Sequence, residues 1–162
     1  MTEMKKDNLI IKKYDTRAEM GRCAAKDAEV VIADIIAKKG EINMIFAAAP
    51  SQNEVLASLI SYKDIPWERI NAFHMDEYIG LDSSAPQCFG NFLADRIFNR
   101  APFRSVHYID SSAPAEEECA RYTDLLSRYP TDITVMGIGE NGHIAFNDPH
   151  VADLNDPKLV KK

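Results

Sequence analysis

The sequence is poor in the features that mark whole classes of protein. No window approaches the roughly 20 consecutive apolar residues that a membrane span requires. The opening stretch, MTEMKKDNLIIKKYDTR, has lysines but lacks the apolar run of a secretory leader. Cysteine is scarce: Cys23, Cys88 and Cys119 are odd in number, far apart and without a CxxC pair. That pattern argues against a disulfide framework or a zinc site and for reduced thiols in the cytoplasm. Basic residues are outnumbered, 19 Lys and Arg against 25 Asp and Glu, for a net charge of −6. With no basic stripe visible, nucleic acid is a poor partner. A small phosphate is not excluded, because backbone N–H groups and one or two cations suffice to hold it. Glycine is also sparse, and three of the seven crowd between Gly137 and Gly142.

What remains is an ordinary globular composition, 46% hydrophobic and 27% charged over 162 residues. This suits a single domain, residues 1–162, with a real core. Asn8 to Tyr14 reads as a short strand. Thr16-Arg-Ala-Glu19 is a capping box that opens a helix, and Gly40 is its natural stop. Ile42 to Ala49 is a continuous apolar run, as in a strand covered on both faces. The alternation then repeats: a loop at Pro50 to Asn53 opening a helix through about Tyr62, a strand from Arg69 to His74, a helix from Gln87 to Asn99. A strand at Val106 to Ile109, a helix at Ala115 to Arg128 and a strand at Asp132 to Ile138 complete the series. Strand and helix alternating at this spacing predict an α/β fold with a mostly parallel, Rossmann-like doubly wound sheet. From His150 onward the sequence is polar, with no closing strand or capped helix. The sheet is therefore expected to be incomplete at the C-terminus.

Ligands of open parallel sheets bind at the carboxyl ends of the strands. Three predicted loops lie there: Ala49 to Asn53, His74 to Tyr78, and Gly137 to Pro149. The last, GIGENGHIAFNDP, sets glycines around Glu140, Asn141 and His143. Glycine permits left-handed backbone and close approach to a ligand. His143 can move protons near neutral pH, and Asp148 is near enough in sequence to orient its ring.

Gly137 to Pro149, together with FHMDEYIGL at Phe73 to Leu81, resembles the glucosamine-6-phosphate deaminase family within the wider deaminase/6-phosphogluconolactonase superfamily. The resemblance implies a modified Rossmann-like fold, and its members are considerably longer than this chain. It makes Asp76 the base that carries a proton between C2 and C1 of an opened amino sugar. His143 would open the sugar ring, with Asp148 as its partner and Asn141 beside it. Ser51, Gln52, Glu77, Gly139 and Gly142 are the implied substrate contacts. The family more often has glutamate at the position of Asp148 and aspartate at that of Asn141. Its first loop is usually a glycine-rich, threonine-containing phosphate cradle, where this chain reads Ala47-Ala48-Ala49-Pro50-Ser51-Gln52-Asn53. Ser51 or Asn53 serving simply as a helix cap is an equal reading there.

The resemblance implies cofactor-free conversion of glucosamine 6-phosphate to fructose 6-phosphate and ammonia, and a homo-oligomer in a full-length protein. Weak or absent activity is expected of residues 1–162 alone, because the family draws further phosphate contacts from beyond that point. A galacto-configured substrate, 6-phosphogluconolactone hydrolysis and sugar-phosphate binding without catalysis are the alternatives. His74, Asp76, Glu77 and His143 have no metal-ligand spacing such as HxxxH or HExxH, so no metal is expected. Trp67 reads as packing, and Glu116-Glu117-Glu118 as a solvated acidic face early in a helix.

Overall fold

The computed structural model describes residues 1–162. The chain begins with an antiparallel hairpin, β1 (Thr2–Lys6) and β2 (Leu9–Lys13), paired from Thr2↔Lys13 to Lys6↔Leu9. Asp7 turns it with φ of 52°, a left-handed conformation that a short polar side chain tolerates. Only β2 is expected from the sequence; its partner, Thr-Glu-Met-Lys-Lys, is mostly polar and has no apolar run.

Helix α1 (Arg17–Lys39) starts where Thr16 Oγ1 accepts the Glu19 N–H at 3.1 Å. It ends at Gly40, whose φ of 83° lets its N–H reach Ile36 O. Then follow β3 (Ile42–Phe46), a 3-10 turn (Pro50–Gln52), α2 (Asn53–Ser61) and β4 (Ile70–His74). Helix α3 (Phe89–Leu93) widens into a π-helical turn over Ala94–Phe98. The chain continues through β5 (Ser105–His107), α4 (Ala115–Arg128) and β6 (Ile133–Val135), after which no further helix or extended strand forms. The last expected strand is thus three residues long rather than seven. No helix is long and apolar enough to cross a membrane.

Strands β5-β4-β3-β6 form one sheet in that order, parallel throughout. The chain moves outward from β3 to β5, then returns to place β6 on the far side of β3. Loops leaving β3 and β6 therefore part company over the gap between them, which is where doubly wound sheets open a crevice.

Two apolar layers clamp the sheet. On one face Ile42, Met44, Phe46, Ile70 and Ala72 pack against Ala25 and Ile32 of α1, Leu56 and Leu59 of α2, and Leu93, Ile97 and Phe98. On the other, Phe73 meets Tyr122 and Leu125 of α4, with Val160 from the tail packed alongside. Trp67 is buried edge-on to Phe103, as expected of a packing residue. Beneath α4 the sheet also carries a polar ladder. Asn71 Nδ2 donates to Asn43 Oδ1 at 2.9 Å, and Ser105 Oγ donates to Asn71 Oδ1 at 2.7 Å.

The acidic run on α4 corrects the sequence reading at one position. Glu118 is buried, not solvated: it takes the Arg121 guanidinium at 2.7 Å and the Asp110 N–H at 2.7 Å. Burial pushes its carboxyl up, but the Arg121 and Asp110 hydrogen bonds more than offset this and hold it below the usual range.

Candidate active site

The loop after β4 is anchored before it leaves the sheet. His74 is fully buried, and its Nε2 accepts the Ile109 N–H at 2.6 Å. The ring is therefore neutral, with its proton on Nδ1, and burial holds it down to about pKa 4 against the opposing pull of Glu77 and Glu118. The Tyr122 hydroxyl accepts the His74 N–H at 3.1 Å and faces the carbonyls of His74 and His107 at 3.0 and 3.1 Å. Met75 N–H then pairs with Phe46 O at 3.0 Å. Asp76 follows, half-buried. Burial pushes its carboxyl up to about 6, the Glu77 carboxylate adds to this, and His143 pulls it back. Such a carboxylate can accept a proton near neutral pH and give it up again.

Glu77 turns to helix α3. Its Oε1 accepts the N–H groups of Tyr78 at 2.9 Å and Phe89 at 3.0 Å, and its Oε2 accepts that of Gly90 at 2.9 Å. The carboxylate thereby satisfies the open N–H groups of the helix start, where negative charge is favoured. A Cβ at Gly90 would crowd the Tyr108 ring at 3.1 Å and touch Glu77 Oε2 at 3.5 Å.

The loop after β6 is built around an amide. Asn141 Nδ2 donates to Asp148 Oδ1 at 2.8 Å, and Asn141 Oδ1 lies 2.7 Å from His143 Nδ1. Direct approach of Asp148 to that ring nitrogen is longer, 3.5 Å. A carboxylate can only accept, so Asp148 fixes which end of the amide faces the ring. The Asn141 carbonyl is thereby placed to accept a proton from His143 Nδ1, and Nε2 is the ring nitrogen this contact does not use. The same carbonyl also accepts the His143 N–H at 3.1 Å. Gly139 lies under the imidazole, where a Cβ would come within 2.2–2.5 Å of three ring atoms. Gly142 makes the turn with φ of 88°, its N–H donating to Gly139 O at 2.9 Å.

The first loop meets the third at Gly137, where a Cβ would lie 3.1 Å from Ser51 Oγ and 3.2 Å from Gln52 Nε2. Gln52 is buried and donates to Ser51 Oγ at 3.1 Å. Neither Ser51 nor Asn53 caps α2: no side chain bonds the N-terminus of that helix, and Asn53 Oδ1 instead accepts from Arg96 Nε at 2.9 Å. Asp76, His143, Asn141 and Asp148 thus lie on neighbouring loops, with Gly139 and Gly142 shaping the histidine turn and Ser51 and Gln52 abutting its start. Glu77 is occupied by three backbone groups. Sequence reasoning missed the intervening position of Asn141, for which no local signal existed.

Parallel strands and a reversal of strand order define an α/β protein, with the loops that carry Asp76 and His143 at its strand ends. The chain belongs to the family described as glucosamine-6-phosphate isomerases/6-phosphogluconolactonase, whose model matches residues 15–158. It is 38% identical over 111 residues to a glucosamine-6-phosphate deaminase of Listeria monocytogenes, covering 68% of this chain and 47% of that protein. A glucosamine-6-phosphate deaminase of an Exiguobacterium strain is 34% identical over 132 residues, covering 79% and 52%. Among solved structures, a monomeric glucosamine-6-phosphate deaminase superposes with a TM-score of 0.73 at 30% identity, over 85% of this chain and 58% of that one. A 6-phosphogluconolactonase of Thermotoga maritima gives 0.77 at 25% identity, over 91% and 66%. The chain spans about half the length of the curated relatives it matches.

Proposed function

We propose that this chain carries the proton-moving part of an aldose–ketose isomerase that deaminates a 2-amino-2-deoxyhexose 6-phosphate, glucosamine 6-phosphate giving fructose 6-phosphate and ammonia. The observation that carries the reading is the pairing of Asp76, raised to about 6 and pulled back by His143, with an imidazole whose Nδ1 faces the Asn141 carbonyl at 2.7 Å. His143 Nε2 takes the proton of the sugar O1 hydroxyl and returns it to the ring oxygen, which opens the ring. Asp76 then removes the C2 proton to give an enol and delivers it to C1 on the same face. The resulting C2 imine adds water and releases ammonia. Asn141 and Asp148 hold the imidazole in the tautomer this requires. Glu77 serves by fixing the Asp76 loop to α3 through its three N–H contacts. Ser51 and Gln52, beside Gly137 and ahead of the uncapped N-terminus of α2, supply polar groups for the phosphate end. Gly139 and Gly142 let the sugar approach the backbone.

The test is exchange of solvent deuterium into C2 and C1 of glucosamine 6-phosphate, followed together with ammonia release, in the intact chain and in Asp76→Asn. Exchange that disappears in the variant supports the reading. Binding of the sugar phosphate without any exchange would overturn it in favour of a binding module.

Lactone hydrolysis is the second reading, favoured by the superposition on a 6-phosphogluconolactonase. It needs only a base at His143, so hydrolysis of 6-phosphogluconolactone that survives Asp76→Asn would select it. Galactosamine 6-phosphate in the same exchange assay separates the two sugar configurations.

A further inference from the structure

We infer that Phe89, which lies outside both loops, is a positioning residue that sets the distance between Asp76 and His143. Its backbone belongs to one loop and its ring to the other. The Phe89 N–H is held at 3.0 Å by Glu77, the residue next to the base. The Phe89 ring stacks on Phe146, three residues past His143, with centroids 5.8 Å apart and planes inclined by 19°. Tyr78 closes the group, 4.9 Å from Phe89 and 5.6 Å from Phe146.

These rings stand apart from the two core clusters, and Phe146 is 53% exposed. Burial alone therefore does not account for where they sit. The remaining restraints on the His143 loop are mostly internal: Gly139 N–H to His143 O, Gly142 N–H to Gly139 O and Asn147 N–H to Ile144 O. They fix the loop's shape without fixing its separation from Asp76. Gly137 lies close against Ser51 and Gln52 at the loop's beginning, which leaves its far arm to the aromatic stack. Ala145, immediately before Phe146, holds φ of 53°, a backbone state that side chains disfavour and that persists where the surroundings over-determine it. The strained turn delivers the Phe146 ring to Phe89. A rigid aromatic contact of this kind keeps reacting groups within the sub-ångström tolerance that proton transfer requires.

The catalytic meaning of this coupling rests on the isomerase reading above, but the coupling itself is measurable without substrate or turnover. Asp76 is titrated by carbon-13 NMR in the intact chain and in His143→Gln, with Phe89 and again with Phe89→Ala. With Phe89 present, removing the imidazole shifts the Asp76 midpoint upward. In Phe89→Ala that shift is expected to fall to less than half. Phe146→Ala, a change at an exposed position, should do the same if loss of fold is not the cause, and Phe89→Tyr should keep the full shift. An unchanged His143-dependent shift in both alanine variants would overturn the inference. So would equal loss in Phe89→Tyr, which retains the stacked ring.

Discussion

The segment from His74 to Tyr78 carries Asp76 on hydrogen-bonded backbone leaving the buried strand β4, whereas residues 137–149 carry His143 on a loop that bonds mainly to itself. The first is tied to three other elements: to β3 through Met75, to α4 through Tyr122, and to α3 through Glu77. The second leans on its neighbours through little more than Gly137 and Phe146. On the proposed reading the carboxylate acts on carbon, where a misplaced base is nearly useless, and it sits where the sheet dictates position. On the same reading the histidine exchanges protons between oxygens, a less demanding task, and its position is specified locally by Asn141, Asp148 and two glycines.

Substitutions can break that contrast. The largest effect is expected from Asp76→Asn, a loss of about 10³-fold in deuterium exchange at C2, with the far-ultraviolet circular dichroism unchanged. Next comes Gly139→Ala, whose Cβ claims the space of the imidazole. A loss of roughly 100-fold is expected from a displacement of about 1 Å, with almost no change in melting temperature because the loop is exposed. Tyr122→Phe should show the converse. It strips the hydroxyl from the buried His74 N–H and lowers stability by about 2 kcal/mol, seen in urea denaturation, while the His143 turn keeps its amide exchange rates.

Acid sharpens the comparison further. His74 titrates lower in the folded chain than when unfolded, so it contributes stability that is fully present above pH 6.5 and is lost as pH falls toward about 4. Asp76 titrates higher when folded, so its contribution has the opposite slope: stability declines as pH rises through about 6. In His74→Gln the acid-side loss should flatten. In Asp76→Asn stability above pH 6 should rise by on the order of 1 kcal/mol, a value reduced for solvent screening. Denaturation midpoints from pH 4 to 8 measure both. The smallest effect belongs to Asn141→Leu, which frees the amide's hold on the ring. Nitrogen-15 shifts of His143 should change from a single Nδ1–H tautomer to a mixture, and a shift pattern identical to wild type would remove Asn141 from its assigned place.

The same contrast explains what could be read in advance. Where structure is local, the residues announced it: Thr16 and Gly40 bound α1, α4 runs from Ala115 to Arg128 as its pattern implied, and the apolar runs at Ile42 and Ile70 became the buried strands. The three site loops fell at strand ends because alternation fixes topology. Long-range partners left no local trace. β1 exists because β2 pairs with it, Glu118 is buried because Arg121 and the Asp110 N–H meet it, and Glu77 was drawn to a helix start twelve residues on. His74 gave equally little sign of being neutral, since its partner is a backbone N–H supplied from Ile109.

The ladder of Asn43, Asn71 and Ser105 has a consequence for how the chain folds. A slip of one residue between β3 and β4 is forbidden by the alternation of apolar and polar faces. A slip of two residues keeps every side chain on its own face, and hydrophobic patterning alone would tolerate it. It would, however, leave the Asn43 and Asn71 amides in the interior without each other, at about 1–3 kcal/mol apiece. The ladder thus acts as a proofreader against a mispairing that the core cannot detect. What it protects lies at the other end of the strands: a slip of two would offset the loop origins at Phe46 and His74 by roughly 7 Å. Three amide and hydroxyl groups remote from the chemistry keep those loops starting level.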